Sequence, residues 1–333
     1  MRYHDLVYGN FNISEPVILK LINSPAFRRL KGVNQYGYGP LLVKPNINFK
    51  KIKQNRYTHS LGVYILLNKF KAPLHEQISG LAHDISHSAF SHSAEFAFDR
   101  VKAKQQKHQD DIHHEFISKT DIPKILKKFG INWKNILEDD NFPLKEKVLP
   151  DLCADRIDYL LRDGIIFEVI TPARARELLK NLTAENGKWL FKGLASAKKF
   201  AKLFYTMNKN YYSDLSTSIM FAAVGDYLKY ALGRKYITIN DLYTTDSQVL
   251  AKIKKHLKHD ARLNLLWLRM NGKIKARQNR KNYDAHIYCK SRVVDPLFLR
   301  RGKITRLSQA LPGWRKIVKQ ELKPKEYFLK FEK

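Results

Sequence analysis

A mainly α-helical fold with a small α+β part towards its C-terminal end is what this 333-residue chain predicts, on three observations. Apolar residues recur every three to four positions through most long segments, the period of a helix face. Segments with strand-like character are few. Hydrophobic content is ordinary at 44 %, and with 12 prolines and 15 glycines the composition is not that of a disordered chain. This length can bury a substantial core as one large domain or as a domain with an appendage.

The elements follow in order. "SEPVILKLINSPAFRRLKGV" predicts a helix with Ser14 as N-cap and Glu15-Pro16 in its first turn. Val17, Ile18, Leu21 and Ile22 share its apolar face, and Phe27 and Leu30 resume it after the Ser24-Pro25 break. The same period runs through residues 58–70, 76–92, 122–130, 152–163, 172–182 and 196–232. The most apolar stretch, "STSIMFAAVGDYLKYALG", contains Asp226 and Lys229 and therefore reads as a buried helix, not a membrane span. "GKWLF", after the turn "AENG", is the best strand, expected to pair with "HIYCKSRVVD". "NGKIKARQNRKN" predicts an exposed loop or hairpin. Pro172, in "ITPAR", marks a seam between a core of residues 1–170 and a continuation, residues 171–333, whose helices and basic α+β part close over the site.

Two cysteines, Cys153 and Cys289, are too few for a disulfide framework and fit free thiols in a reducing compartment. The opening "MRYHDLVYGNF" lacks the apolar run of a signal peptide, so a cytoplasmic location without membrane attachment is expected. Charge is the anomaly. Sixty-one Lys and Arg face 31 Asp and Glu, a net +30, and residues 251–333 alone hold 24 basic and 6 acidic side chains. Such a balance suits polyanionic partners (nucleic acid, anionic lipid or charged nucleotides), or else a solvated lysine-rich surface; composition leaves both open.

The densest chemistry lies in Leu81–His92, "LAHDISHSAFSH". On a helix His83 and His87 would share one face with Asp84 beside them. Upstream, "NRYTHSLGV" places His59 in an apolar helix; downstream, "DLCADRIDYLLRD" carries Asp155, Asp158 and Asp163. Singly, His59 is an ordinary core histidine and "HD" a common dipeptide. As an ordered set, with eight of the twelve histidines between His59 and His114, they predict a metal site. Imidazole with carboxylate suits Mn, Fe, Zn, Ni or related ions, and Mg at oxygen-rich positions.

These residues resemble the HD-domain phosphohydrolase superfamily, most of all its branch of bacterial dGTP triphosphohydrolases and the sterile-alpha-motif HD-domain dNTPase. "SPAFRRLKGVNQYG", "NRYTHSLGV", "LAHDISHSAFSHSAE", "HHEF" and "ADRIDYLLRD" follow the family's motifs in the family's order, with a weaker echo in "SRVVDP". The resemblance implies an HD-domain helical bundle in which His59, His83, Asp84 and Asp155 hold one divalent metal. It makes His92 and Glu95 a proton-transfer pair and brings His87 and His114 to the phosphates, with Arg56 and Arg156 as charged partners. From the residues alone, Arg156 has the alternative of an ion pair with Asp158 or Asp163. By the same resemblance Gln35, Tyr159 and Asp163 handle the sugar, and Tyr212 packs on its 2′ side.

Some positions depart from the pattern. Ser86 and Ser88-Ala89 stand for Gly and Gly-Pro, which predicts that the helix runs on further before turning. Tyr36 stands for Leu beside Gln35, a change that reshapes the sugar pocket. Phe204, Asn208 and Asp214 stand where Arg, Tyr and His are expected, removing groups that meet phosphate or sugar.

The activity so implied is hydrolysis of a dNTP to deoxynucleoside and triphosphate, with a second Mg joining through the substrate phosphates. Related dNTPases assemble, so a homo-oligomer, dimer or higher, is expected. Two other readings stand beside it. One keeps the centre for another nucleotide, a phosphodiester or a diphosphate, with His87, His113 and His114 binding a second ion. The other is a nucleic-acid-binding protein or nuclease acting through the basic C-terminal part.

Overall fold

The N-terminal residues form an antiparallel hairpin, β1 (Arg2–Asp5) with β2 (Gly9–Asn12), that the apolar pattern did not signal. It turns on Asp5, a buried carboxylate that accepts hydrogen bonds from the Val7 and Tyr8 amides. The structure, a computed structural model, describes residues 1–41, 54–98, 103, 106 and 108–332. Helices α1 (Pro16–Ile22) and α2 (Pro25–Arg28) follow; α1 is entered from Glu15, not Ser14, while the Ser24 hydroxyl caps α2. Pro16 presets the helical φ at the first position, so no side-chain cap is needed there.

The bundle that carries the site is α3 (Arg56–Lys69), α4 (Leu74–Ala82) and α9 (Ala154–Ile166). Between them lie α5 (Glu95–Phe98), α6 (His108–Ser118), α7 (Ile122–Lys127) and α8 (Trp133–Leu137). Gly62 of α3 permits the close approach of α9: a Cβ there would sit 2.0 Å from Asp158 Oδ1. The outer elements are α10 (Pro172–Lys180), α11 (Leu194–Met207), α12 (Leu215–Gly233), α13 (Asp246–Lys254), α14 (Ala261–Met270), α15 (Leu307–Ala310) and α16 (Pro312–Glu321). One apolar cluster extends from Val7 to Phe331 and includes Leu61, Ile157, Phe204 and Val224.

Three expectations change. The helix expected through residues 76–92 stops at Ala82, and His83 and Asp84 lie in successive turns closed by Ile85 N to Ala82 O and His87 N to Asp84 O, both 3.1 Å. Further along, tertiary acceptors take the amides, Ala89 N donating to Leu242 O and Phe90 N to Asp246, so the helix is not resumed there. The segment 196–232 divides at a wide turn, Asn208–Tyr212, before Asp214 caps α12. Buried Asn208 holds that break by donating to Ser291 Oγ and Glu321 Oε2.

"GKWLF" is a strand, β4 (Lys188–Phe191), but its antiparallel partner is β3 (Leu182–Glu185). Asn186 and Gly187, both at positive φ, make the two-residue turn such a hairpin requires. On its other edge β4 runs parallel to β7 (Leu297–Arg300), which continues to β8 (Lys303–Arg306). "HIYC" falls in β6 (Ala285–Cys289), which pairs instead with β9 (Lys325–Phe331). The expected loop or hairpin at 271–282 contains β5 (Ala276–Gln278), on the other edge of β9.

Candidate metal centre and its cleft

Four side chains from α3, the end of α4 and α9 converge at the floor of a cleft of about 750 Å³. His59 Nε2 lies 2.9 Å from Asp155 Oδ1 and 3.8 Å from Asp84 Oδ2. His83 Nε2 lies 3.4 Å from Asp84 Oδ1 and 3.6 Å from Asp155 Oδ1. Among the described residues His59, His83 and Asp155 offer ligand atoms all within 4.8 Å of one another.

Neighbours aim the two imidazoles. Gly80 O, 2.8 Å from His83 Nδ1, can only accept, so that nitrogen carries the hydrogen; the lone pair on buried Nε2 is left with no hydrogen-bond partner. His59 Nδ1 is 2.8 Å from Asp158 Oδ2, the carboxylate–histidine arrangement that orients a metal ligand. Arg162 grips Asp158 through Nε and Nη2 and reaches Asp5 at 2.9 Å, a fully buried chain from the hairpin to the centre.

The electrostatics ask for a cation. Burial opposes charge on His59, yet hydrogen bonds to Asp155 and Asp158 lift its pKa to about 10. His83 is also raised, against burial, by Asp84 and Asp155. Burial opposes ionisation of Asp84 too, but Arg56 and the surrounding histidines hold its carboxyl well below the usual range. A divalent ion would replace the His59 proton and take the His83 Nε2 lone pair, since coordinated histidine is neutral. The donor set, the orphaned Nε2 and the charge balance therefore fit a metal.

Beside the floor, His92 Nδ1 meets Glu95 Oε1 at 2.7 Å. Burial lowers the His92 pKa, with Glu95 opposing. The preceding Phe90 and Ser91 both adopt positive φ, 63° and 49°, conformations that L residues rarely take. Asp246 stabilises this turn from α13: one oxygen accepts from Phe90 N at 2.8 Å, the other from Asn34 N at 3.0 Å. His87 is buried against the same group, its Nε2 3.3 Å from Asp84 Oδ1.

The other expected residues line the cleft on different terms. Arg56 is committed to Asp84 at 2.8 Å and Ser91 Oγ at 3.0 Å. Arg156 turns to Glu146 at 3.0 Å and pairs with neither Asp158 nor Asp163. His114 stands at the rim, half exposed, 3.5 Å from Glu138; its neighbour His113 lies deeper, bonded to Ser86 Oγ. His87, His113 and His114 thus form no second metal cluster among the described residues. Gln35 Oε1 and Tyr159 OH are buried without partners. Asp163 accepts from Tyr36 OH at 2.8 Å and Tyr212 OH at 3.0 Å, and burial raises its pKa to about 7 despite both bonds.

Lys145, Lys290 and Arg292 also face this cleft, and sequence reasoning did not place them there. Burial, then Arg292, lowers Lys290 to about 8. Arg292 belongs to "SRVVDP", the weaker echo of the family pattern. A second convergence, Glu146, Cys153 and Asp155, is already answered by a cation: Arg156 donates to both the Cys153 sulfur and Glu146.

Comparison with known proteins agrees with this geometry. The HD domain profile matches residues 56–163. An uncharacterized protein of Bacillus subtilis, YdhJ, is 33% identical over 89% of this chain and 88% of its own length. The metal-dependent phosphohydrolase cns2 of Cordyceps militaris is 35% identical over 54% of this chain and 50% of its own. The deoxynucleoside triphosphate triphosphohydrolase SAMHD1 of Xenopus laevis is 26% identical over 46% of this chain and 26% of its own. Two crystal structures share the fold: a hypothetical protein of Aquifex aeolicus (TM-score 0.72, 21% identity, 99% of this chain and 96% of that one) and a phosphohydrolase of Bacteroides thetaiotaomicron (0.70, 16%, 100% of each). Among the described residues no helix is long and apolar enough to cross a membrane. The chain belongs to the HD-domain family and is a metal-dependent phosphohydrolase.

Proposed function

We propose that this phosphohydrolase acts on nucleotides, and specifically that it hydrolyses dNTPs to deoxynucleoside and triphosphate. The observation that carries the reading is the cleft itself: a His/Asp floor, a His–Glu pair beside it and a wall of cations. His59, His83, Asp84 and Asp155 would hold the divalent ion, with Mn, Fe, Zn, Ni and Mg as candidates. When bound, the ion supplies a Lewis acid for a phosphate oxygen and a better nucleophile from water.

The chain's own groups do the rest. His92, kept neutral by burial, has Nδ1 engaged by Glu95 and Nε2 left for a proton at the reacting oxygen; Glu95 steadies the imidazolium that results. Lys145, Lys290 and Arg292 meet phosphate charge, and His87 keeps Asp84 company without adding charge of its own. Gln35 Oε1 and Tyr159 OH are polar groups waiting for a ligand, and Asp163 with Tyr212 forms the sugar end.

One observation favours a second substrate. The Tyr36 hydroxyl already bonds Asp163, which suits a nucleotide that makes no demand on that carboxylate. A homo-oligomer is proposed on the resemblance alone; light scattering on the eluting protein tests it.

Product analysis separates the readings. The protein with Mn²⁺, then Mg²⁺, is offered dNTPs, NTPs and dNMPs beside His83→Ala. Deoxynucleoside with intact triphosphate, lost in the variant, is the expected result. Orthophosphate from a monophosphate would move the function to a nucleotidase.

A further inference from the structure

A second cleft, of about 660 Å³, opens between the C-terminal half of α12, α14 and Asp284. Lys229, Arg234, Arg262 and Arg269 line it against two carboxylates, Asp226 and Asp284. Asp284 is already engaged by Lys330 at 3.0 Å and the Phe331 amide at 2.8 Å. The choice of cation is informative. The chain has 42 lysines and 19 arginines, yet here three arginines accompany one lysine. A random basic surface would show the reverse, whereas the planar guanidinium fork is suited to phosphate oxygens.

Arg269 is the centre of the arrangement. Its guanidinium lies 4.4 Å from the Phe331 ring centroid, and its Nε is buried with no hydrogen-bond partner. Burial, and then Arg262, lowers its pKa, with Asp284 opposing. Arg234 is exposed, 5.9 Å from the Tyr236 ring centroid and 3.9 Å from Asp260, with no close ion pair among the described residues. Tyr230 and Leu266 complete the wall.

We infer that this cleft is a binding site for a phosphate-bearing anion, separate from the catalytic cleft, with Arg269 at its base and Arg262 and Arg234 at its mouth. The same helix serves both clefts: Thr217, Met220 and Phe221 of α12 line the catalytic one, and Asp226 to Arg234 the second. A ligand held there touches the helix that walls the reaction site. The shared chemistry is the phosphoryl group, carried either by an inorganic polyphosphate or by a nucleotide.

Calorimetry with inorganic triphosphate and with dATP, on full-length protein in EDTA, tests the inference. Two binding events are expected for at least one probe. Arg262→Glu, an exposed position that leaves the core untouched, is expected to weaken one of them at least about tenfold and spare the other. Arg269→Lys, which keeps the charge and loses the fork, is expected to weaken the same event. Hydrogen exchange is expected to show ligand protection in residues 226–234 and 261–270. Binding of dATP alone, with that protection, assigns the site to nucleotides; equal binding of triphosphate assigns it to the phosphates. Affinity unchanged in Arg262→Glu, protection confined to the catalytic cleft, or binding only of single-stranded oligonucleotide would overturn it.

Discussion

The floor of the catalytic cleft and its sugar-side wall are built in different ways. Each floor imidazole has a group that aims it: Gly80 O for His83, Asp158 for His59. Floor and wall both join distant segments, His59 meeting Asp158 across 99 residues of chain. In the wall, however, Tyr36 and Tyr212, 127 and 49 residues from Asp163, both donate their hydroxyls to that one carboxylate. A floor of this kind preserves one chemistry, because ion binding demands the same donors at the same spacing. A wall of this kind changes with single substitutions, since one hydroxyl can occupy a carboxylate that a substrate would otherwise use.

The sharpest way to break the comparison is at the floor. His83→Ala is expected to remove the ion and lower turnover by at least about 10³-fold, as loss of a catalytic group does. Metal analysis of the purified variant reads the first effect and steady-state rates the second; retained metal with retained rate would refute the assignment.

One shell outward, Asp158→Asn is expected to weaken metal affinity by about 10–100-fold, because His59 loses its orienting charge. Titration with Mn²⁺ checks this. A melting curve separates it from the stability lost when the buried Arg162 keeps only Asp5 as its partner.

At the wall, Tyr36→Phe removes one hydrogen bond from Asp163 and leaves the floor alone. A bond of about 1 kcal/mol corresponds to about fivefold, so KM for a dNTP is expected to shift by that order while kcat holds. A fall in kcat with unchanged KM would place Tyr36 in the chemistry instead.

The effect least tied to turnover is on stability against pH. Burial raises Asp163 and Asp246 to about 7, far above their unfolded values near 4. The folded state therefore holds protons that the unfolded state releases, and the associated stability is full below about pH 4 and lost as pH rises through about 7. Denaturant melts from pH 4 to 8 are expected to show that decline, flattened in Asp163→Asn. An unchanged profile would mean that Asp163 is ionised in the fold.

Much of this was legible beforehand. His59, His83, Asp84 and Asp155 were named as a set by the family resemblance, and the fold brings the four together. Helical period located α3, α4 and α9, since burial of one face needs nothing beyond the local sequence. The stop after Ala82 was not readable, because the helical period runs on past it; the turn that follows is fixed by Asp246 and Leu242, more than 150 residues away, which take the amides of Phe90 and Ala89. β4 pairs through the local hairpin that Asn186-Gly187 encodes, and its distant partner is β7, not the "HIYC" strand, because β9 takes that strand. Lys290 was invisible for a plainer reason, since any lysine in a chain of net +30 reads as surface, while Arg292 stood in the "SRVVDP" echo with nothing in the sequence to place it at the cleft.

By itself, then, the sequence determined a helical class and pointed to a metal-binding chemistry, because periodicity and donor type are properties of short segments. The four-residue ligand set came with the family resemblance. The tertiary structure decided which cations face the cleft, which tyrosines close on Asp163 and where the helix before the histidines ends. Those outcomes depend on hydrogen-bond partners and burial supplied by segments that meet only when the chain is folded.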